Sequence, residues 1–503
     1  MDITSEHHTA LVVALSVLLL SYIVYCRHFH PLASVPGPFL ASITTAWLAH
    51  AYWRQDWHKY AIQLHKQYGP VVRIGPNAVD VGDPEAVKVI YGAGSKFFKG
   101  QWYGEFCSPS AGRARRTLIT IADKTEHKKL RRMIDPLYTL KAARESEALF
   151  NEPIDFFVQQ MNAKKGQVVD MADWAVALAV DAFTSMTYGK PYGCLNEGQG
   201  DDMLAFVHNN WMPYTWINAL APWLSSLEKR FRNLQVAAKV IATGKPPVQI
   251  FGWVAEQLKK GYAACDESGR PRRVLTMLER SIRVQQDHPE EFGRDSVEAH
   301  MFEVVFAGFE TCGATIPKML YHISTTPGCQ DRLRSELAAV KRPSGLDGLA
   351  TYDELTQLPY LNACIHESYR INPITGLSLS RKVPEGGVTM NGFDIPAGIE
   401  IGITPQVPVS NERIMPQPEL FRPERWLEAT KEERALMERI DLMFGGGQSR
   451  CPGNVFAAAL LHKVVAVVYS NFRVEFIGPP SDIRETNRFP VKWENVKMRL
   501  TSI

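Results

Sequence analysis

Phe444-Gly445-Gly446-Gly447-Gln448-Ser449-Arg450-Cys451-Pro452-Gly453 runs directly into the apolar stretch Asn454-Val455-Phe456-Ala457-Ala458-Ala459-Leu460-Leu461. The second stretch predicts a helix, so a single cysteine stands at a helix N-terminus behind a glycine-rich loop. Unpaired N–H groups and the positive end of the helix dipole favour a thiolate there. Glycines remove the Cβ atoms that would keep the backbone from something flat and large. Taken alone, a buried structural cysteine after a turn explains the run equally well. Its weight depends on what else the chain carries.

Three further motifs precede it. Ala307-Gly308-Phe309-Glu310-Thr311 lies inside the periodic stretch Val297 to Ser324, which predicts a long helix. A hydroxyl at Thr311 beside a carboxyl at Glu310 suits proton delivery, and Gly308 allows close approach to the helix. Glu367-Ser368-Tyr369-Arg370 follows on a helix from about Tyr360, where residues three apart share a face and can pair. Phe421-Arg422-Pro423-Glu424-Arg425-Trp426 adds a second arginine in a proline-studded loop.

In that order the four segments resemble the cytochrome P450 superfamily, the haem-thiolate monooxygenases. The resemblance covers essentially everything after residue 38 and implies a mainly α fold with a small β lobe: a triangular helical prism around a buried haem b. It implies Cys451 as the axial iron ligand, whose thiolate favours O–O cleavage, with Phe444 and Ser449 in the same cofactor loop. Glu367 and Arg370 would lock onto Arg425. His127-Lys128-Lys129-Leu130-Arg131 resembles the family's Trp-x-x-x-Arg segment, so His127 and Arg131 would hold haem propionates, as would Arg381. One position departs from the pattern: the basic residue usual two before the cysteine is Ser449 here, with Arg450 beside it. Phe309, Ile374, Leu377 and Phe489 map onto the family's substrate pocket, together with the loop Trp102 to Ser110. The aromatic stretch Trp211 to Trp223 suits either a substrate entrance or core packing.

The bulk numbers allow this reading. The chain has 503 residues and a formal net charge of +3, which leaves no nucleic-acid footprint. Its eight cysteines show no paired spacing, which argues against a zinc site or a disulfide framework and for a reducing compartment. Residues 9–26 carry no charge and predict a transmembrane anchor, after a short lumenal N-terminus at 1–8. A Pro/Gly hinge at 27–38 then leads to a catalytic domain at 39–503. The resemblance implies the endoplasmic reticulum membrane with the catalytic domain in the cytosol.

Elsewhere the pattern predicts a hairpin around Gly75-Pro76-Asn77, helices over Glu85 to Tyr91, Lys124 to Leu137 and Trp174 to Tyr188, and strands at Leu377 to Val383 and Val388 to Met390. No dinucleotide- or flavin-binding motif is present, so electrons from NADPH must arrive through a partner, an NADPH-cytochrome P450 reductase, with cytochrome b5 as a second donor. Lys128, Lys129, Arg132 and Arg450 would offer that partner a basic face. The segments Arg73-Ile74-Gly75-Pro76-Asn77, Ile90-Tyr91-Gly92 and Tyr192-Gly193-Cys194-Leu195 look like filamentous-fungal members of the pisatin demethylase type. That implies a hydrophobic terpenoid, alkaloid or polyketide substrate in secondary metabolism. Two rival readings stay open: a haem-thiolate isomerase or dehydratase that needs no O2, and a non-enzymatic membrane haem-binding protein.

Overall fold

The N-terminal apolar run forms one helix, α1 (Ile3–Val24), which continues as a wider turn through Phe29. Its span His7–Phe29 is almost wholly exposed, with a mean hydropathy of 2.3, and is long and apolar enough to cross a membrane. The computed structural model describes residues 3–503, apart from 101, 104–107, 111–112, 116, 165, 198–211, most of 222–248, 268–274 and 340–348.

The Pro/Gly segment after the helix is held against the β lobe. The buried Arg73 side chain donates to the carbonyls of Cys26 at 2.9 Å, Leu32 at 3.3 Å and Pro76 at 2.9 Å. Its backbone N–H donates to Pro36 at 2.7 Å, while Leu32 and Val35 are buried in the β lobe's core. A guanidinium with several fixed carbonyl partners holds a geometry that proline and glycine spacing alone does not reveal.

Arg73 belongs to the predicted hairpin, β1 (Val71–Gly75) and β2 (Ala78–Val81), whose register carries a bulge between Arg73 and Gly75. Helix α2 (Pro84–Tyr91) follows, capped by the Asp83 side chain, and then β3 (Phe98–Lys99). Strands β4 (Arg381–Lys382) and β5 (Glu400–Gly402) complete a sheet in the order β1-β2-β5-β4-β3. The expected strand from Leu377 to Val383 is thus only two residues long. Val388–Met390 is a strand, paired antiparallel with Phe393–Ile395.

The larger part is helical. α3 (Lys124–Ile134) stops before Pro136, whose ring and missing N–H end the ladder, and Asp135–Tyr138 continues as a tighter 3-10 turn. α4 (Met171–Tyr188) is buried on nearly all sides, capped by Asp170 and ended by Gly189 at φ 76°. It packs along α5 (Arg294–Thr325), 32 residues and about 48 Å long at the usual rise. α6 (Cys329–Ala338), α7 (Pro359–Ile371) and α8 (Asn454–Asn471) complete the helices that frame the site. α8 is also apolar enough to span a membrane, but it is mostly buried and is a core helix. A C-terminal hairpin of β6 (Arg484–Asn487) and β7 (Val491–Glu494) folds back onto α5.

Candidate active site

The cysteine loop owes its shape to three glycines. Gly445 and Gly447 adopt φ values of 65° and 59°, which other residues rarely tolerate. A Cβ on Gly447 would meet the Tyr91 carbonyl oxygen at 2.6 Å, and one on Gly446 would meet the Tyr91 Cβ at 2.7 Å. The loop closes where the Cys451 N–H donates to the Phe444 carbonyl at 2.8 Å, and the Phe444 ring meets Tyr369 of α7 edge-on. The Cys451 thiol is exposed although chain surrounds it, so its surface opens to the interior. Burial pushes this thiol up from its ordinary pKa, outweighing the Gly453 N–H and the charges of Arg131 and Arg450. The thiolate preference expected of a helix end is therefore overridden in the protein alone; a bound metal cation is what would hold the sulfur deprotonated.

Facing the same interior is one stripe of α5. Ala307 is exposed in the middle of the helix and Glu303, Gly308 and Thr311 are half-exposed, while neighbouring turns are buried. Cys451 lies near enough to Glu303 and Cys312 to feel their charges. The Thr311 hydroxyl donates to the Ala307 carbonyl at 2.8 Å and is also hydrogen-bonded with the Cys312 thiol.

The other residues of that motif turn elsewhere. Phe309 is fully buried against Phe306, so it packs in the core rather than on the pocket wall expected of it. Glu310 is also buried and accepts a hydrogen bond from Lys492 of β7 at 2.5 Å, beside a small pocket with Asp173 and Glu494. One residue advances a helix by about 100°, so Glu310 points to a different face from Thr311 and is engaged there by Lys492. At Gly308 a Cβ would meet the Phe183 ring of α4 at 2.4 Å. Its first role is helix–helix packing, which the sequence did not reveal.

Glu367 does form the expected network. Arg370 reaches its two oxygens at 2.9 and 2.8 Å, and Arg425 reaches one at 2.9 Å. Trp426 and the backbone N–H of Arg422 add two more donors, each at 2.9 Å. The arginines spend their other donors on the carbonyls of Pro416, Pro418 and Leu420. The cluster therefore fixes the segment 416–426 directly, and α7 meets the cysteine loop where Tyr369 touches Phe444. All three charged members are at most 6% exposed, and every one is bonded, the condition under which such a cluster is tolerated.

Four basic side chains converge on one edge of the cavity. Lys99 and Arg381 are directly paired across β3 and β4, and both are buried. Arg381 donates to the Ser380 carbonyl at 2.8 Å and lies over the Tyr91 ring at 4.9 Å. Lys99 donates to the Leu118 carbonyl; burial and then Arg381 bring its pKa down to about 7. His127 is buried against Phe98, and burial, Lys99, Arg131 and Arg381 bring it down to about 3. Arg131 donates to the Arg450 carbonyl at 2.7 Å and pairs with Asp135, tying α3 to the cysteine loop. Ser449 is half-buried there and Arg450 exposed. Glu303 is the acid that acts on Lys99, and it is itself bonded by Thr117 and the Ile119 N–H.

The sequence model of the cytochrome P450 family matches residues 35–499. The chain belongs to the cytochrome P450 family. It is 28% identical over 502 residues to the cytochrome P450 monooxygenase gsfF of Penicillium aethiopicum, covering 97% of both chains. A cytochrome P450 monooxygenase of Aspergillus terreus is 28% identical over 472 residues, with 92% of this chain and 94% of that one covered. The monooxygenase mpaDE' of Penicillium brevicompactum is 26% identical over 479 residues; the chain spans 55% of its length. These matches bear out the resemblance, the fold class and the enzyme class expected from the sequence.

Membership in the P450 family implies a haem iron cofactor, and the residues fit one. Like charges directly opposite in a sheet repel, and buried unpaired cations are costly. Lys99, Arg381, Arg131 and His127 together make a donor set for a dianion with two separate carboxylates, as haem propionates are. The thiol of Cys451 opens onto the same interior, opposite an α5 stripe with no bulky side chain at Ala307 or Gly308. Lys99 escaped the sequence reading because a lone lysine in a short strand carries no signal; its position opposite Arg381 exists only once β3 and β4 pair.

Of the expected pocket residues, Ile374 and Leu377 are buried and Phe489 half-buried. Gly376 and Val491 bond backbone to backbone with Phe489 and Ile374, at 2.9 and 2.7 Å, which brings these segments together. Phe489 adopts φ 87° and its ring lies 5.4 Å from that of Trp102. Trp211 and Trp223, and residues 104–107 of the expected pocket loop, lie outside the described residues.

Proposed function

We propose that the chain is a haem-thiolate monooxygenase that inserts oxygen from O2 into a hydrophobic natural product, with electrons supplied from NADPH by a separate reductase. The observation that carries this reading is the interior stripe Ala307–Thr311 facing the Cys451 thiol, with the cation cluster at its edge. Bound haem b, held by a thiolate, supplies the O–O cleavage chemistry.

In this reading Cys451 would bind the haem iron through its sulfur, and Phe444 and Ser449 would shape its loop. Lys99, Arg131, Arg381 and the neutral His127 hold the propionates; His127 can donate a hydrogen bond without carrying a charge. Thr311 holds and passes protons at its Oγ1, because Glu310 is engaged by Lys492. Glu367, Arg370 and Arg425 position the segment that backs the cysteine loop. Apolar side chains at Ile374, Leu377 and Phe489 bind the substrate and exclude water. The printed names of the relatives support oxygenation in fungal metabolism. A terpenoid, alkaloid or polyketide is the substrate class. Residues 7–29 anchor the chain in the endoplasmic reticulum membrane, and the clamped segment after it orients residues 39–503 toward the cytosol. The reductase, and cytochrome b5 as a second donor, dock on Lys128, Lys129 and Arg132, of which all three are exposed.

The test is the carbon-monoxide difference spectrum of the reduced protein, followed by NADPH- and O2-dependent turnover with a reductase. A thiolate-type spectrum lost in Cys451→Ala is the expected result. Product formation without NADPH or O2 would overturn the monooxygenase reading.

A further inference from the structure

Two cysteines outside the site meet in the core. Cys329 is the first residue of α6 and Cys364 lies in the middle of α7, and their sulfur atoms are 3.8 Å apart. They are 2% and 0% exposed. A disulfide needs about 2.05 Å between sulfurs, so the closure is a movement of under 2 Å. Neither thiol has a part in the proposed reaction, so the inference stands apart from that reading.

What covers them is thin. Arg332 lies over the Tyr360 ring at 4.2 Å and pairs with Glu424 at 2.9 Å, and the Tyr360 hydroxyl donates to Glu424 at 3.2 Å. The Tyr360 hydroxyl is also bonded to Cys329. Arg332 is half-exposed, and its ion pair with Glu424 lies beside the Tyr360 ring and Cys329. Exposed pairs of this kind contribute little and open readily.

We propose that Cys329 and Cys364 are a peroxide-sensitive dithiol that closes to a disulfide joining α6 to α7. The two sulfurs differ in role. The hydrogen bond between the two sulfurs lowers the pKa of Cys329, while burial raises Cys364. Cys329 also sits where helix N–H groups favour negative charge. Cys329 as thiolate attacks hydrogen peroxide: an S–O bond forms, the O–O bond breaks and hydroxide leaves with the released electron pair. Cys364 then attacks the sulfenic sulfur of Cys329, the S–S bond forms and the S–O bond breaks. In sum two thiols and one peroxide give one disulfide and two waters. The crosslink lands one helical turn before Glu367, the centre of the Arg370–Arg425 network.

The full-length protein, freed of reductant, is titrated with hydrogen peroxide, alkylated and mapped by peptide mass spectrometry. The expected product is one intramolecular Cys329–Cys364 disulfide, two hydrogens lighter and reversed by dithiothreitol. Cys312, which is buried, should stay alkylatable after denaturation. In Cys364→Ser the intermediate has no resolving thiol, so Cys329 should be trapped as a dimedone adduct. Free thiols at both positions in the wild type, at peroxide levels that oxidise methionine, would overturn the proposal. Separate overoxidation of each cysteine without a crosslink would do the same.

Discussion

Thr311 and Lys99 are the single residues on which the proposed chemistry leans most. The Thr311 hydroxyl bears a proton on the α5 stripe next to Ala307, whereas Glu310 is bound by Lys492. Thr311→Ala should therefore keep the carbon-monoxide spectrum and substrate binding while lowering product per NADPH several-fold and raising hydrogen peroxide. Unchanged coupling would move proton delivery to other groups. Lys99 is buried directly opposite Arg381, where a bound anion would favour its charged form. Lys99→Met should speed haem loss to an acceptor such as apomyoglobin by about tenfold, since a charge-assisted bond is typically worth about 1.5–3 kcal/mol. A rate equal to wild type would remove Lys99 from the propionate site.

Among the elements, α7 and the loop 416–426 stand or fall together. Glu367 accepts from Arg370, Arg425, Trp426 and the Arg422 backbone, and no member has a free alternative in water. Glu367→Ala strands two buried guanidinium groups, at a cost of about 3–5 kcal/mol. The expected outcome is mostly insoluble or haem-poor protein, read as haem per polypeptide. Arg425→Lys should be nearly as harmful, because an ammonium cannot reproduce the bonds to Glu367, Pro416 and Gln417 at once. Full haem occupancy in both variants would reduce the cluster to an ordinary ion pair.

At the scale of the molecule, buried histidines set the acid limit. His127, His300 and His322 are brought down to about 3 and His462 to about 4, in each case chiefly by burial. Unfolded histidines titrate near 6.5, so below that pH the unfolded chain binds more protons than the folded one and stability falls. Asp173 and Asp441 work in the opposite direction: burial raises both to about 6, so the folded chain takes up protons there first. Four histidines with wide windows outweigh two aspartates with narrower ones. The thermal midpoint should fall steadily from pH 6.5 toward pH 4, measured by circular dichroism; a midpoint that rises over that range would contradict this balance.

The sequence by itself determined the family, the fold class and the order of the motifs. It also identified the cysteine at a glycine-loop helix start, the Glu367–Arg370–Arg425 set and the N-terminal apolar helix. Each of these is a local pattern, in which spacing along the chain already dictates which side chains share a turn or a loop. What only the tertiary structure decided depends on which face of an element meets which partner. Glu310 and Thr311 are neighbours in sequence but diverge by a helix rotation, and Lys492, 182 positions away, captures the first. Arg73 looks like a strand residue until the linker carbonyls gather around it, and Lys99 acquires meaning only opposite Arg381. Cys329 and Cys364 show no motif spacing, yet helix packing brings their sulfurs together. Such contacts arise from burial and the bonding of groups distant in sequence, which periodicity cannot encode.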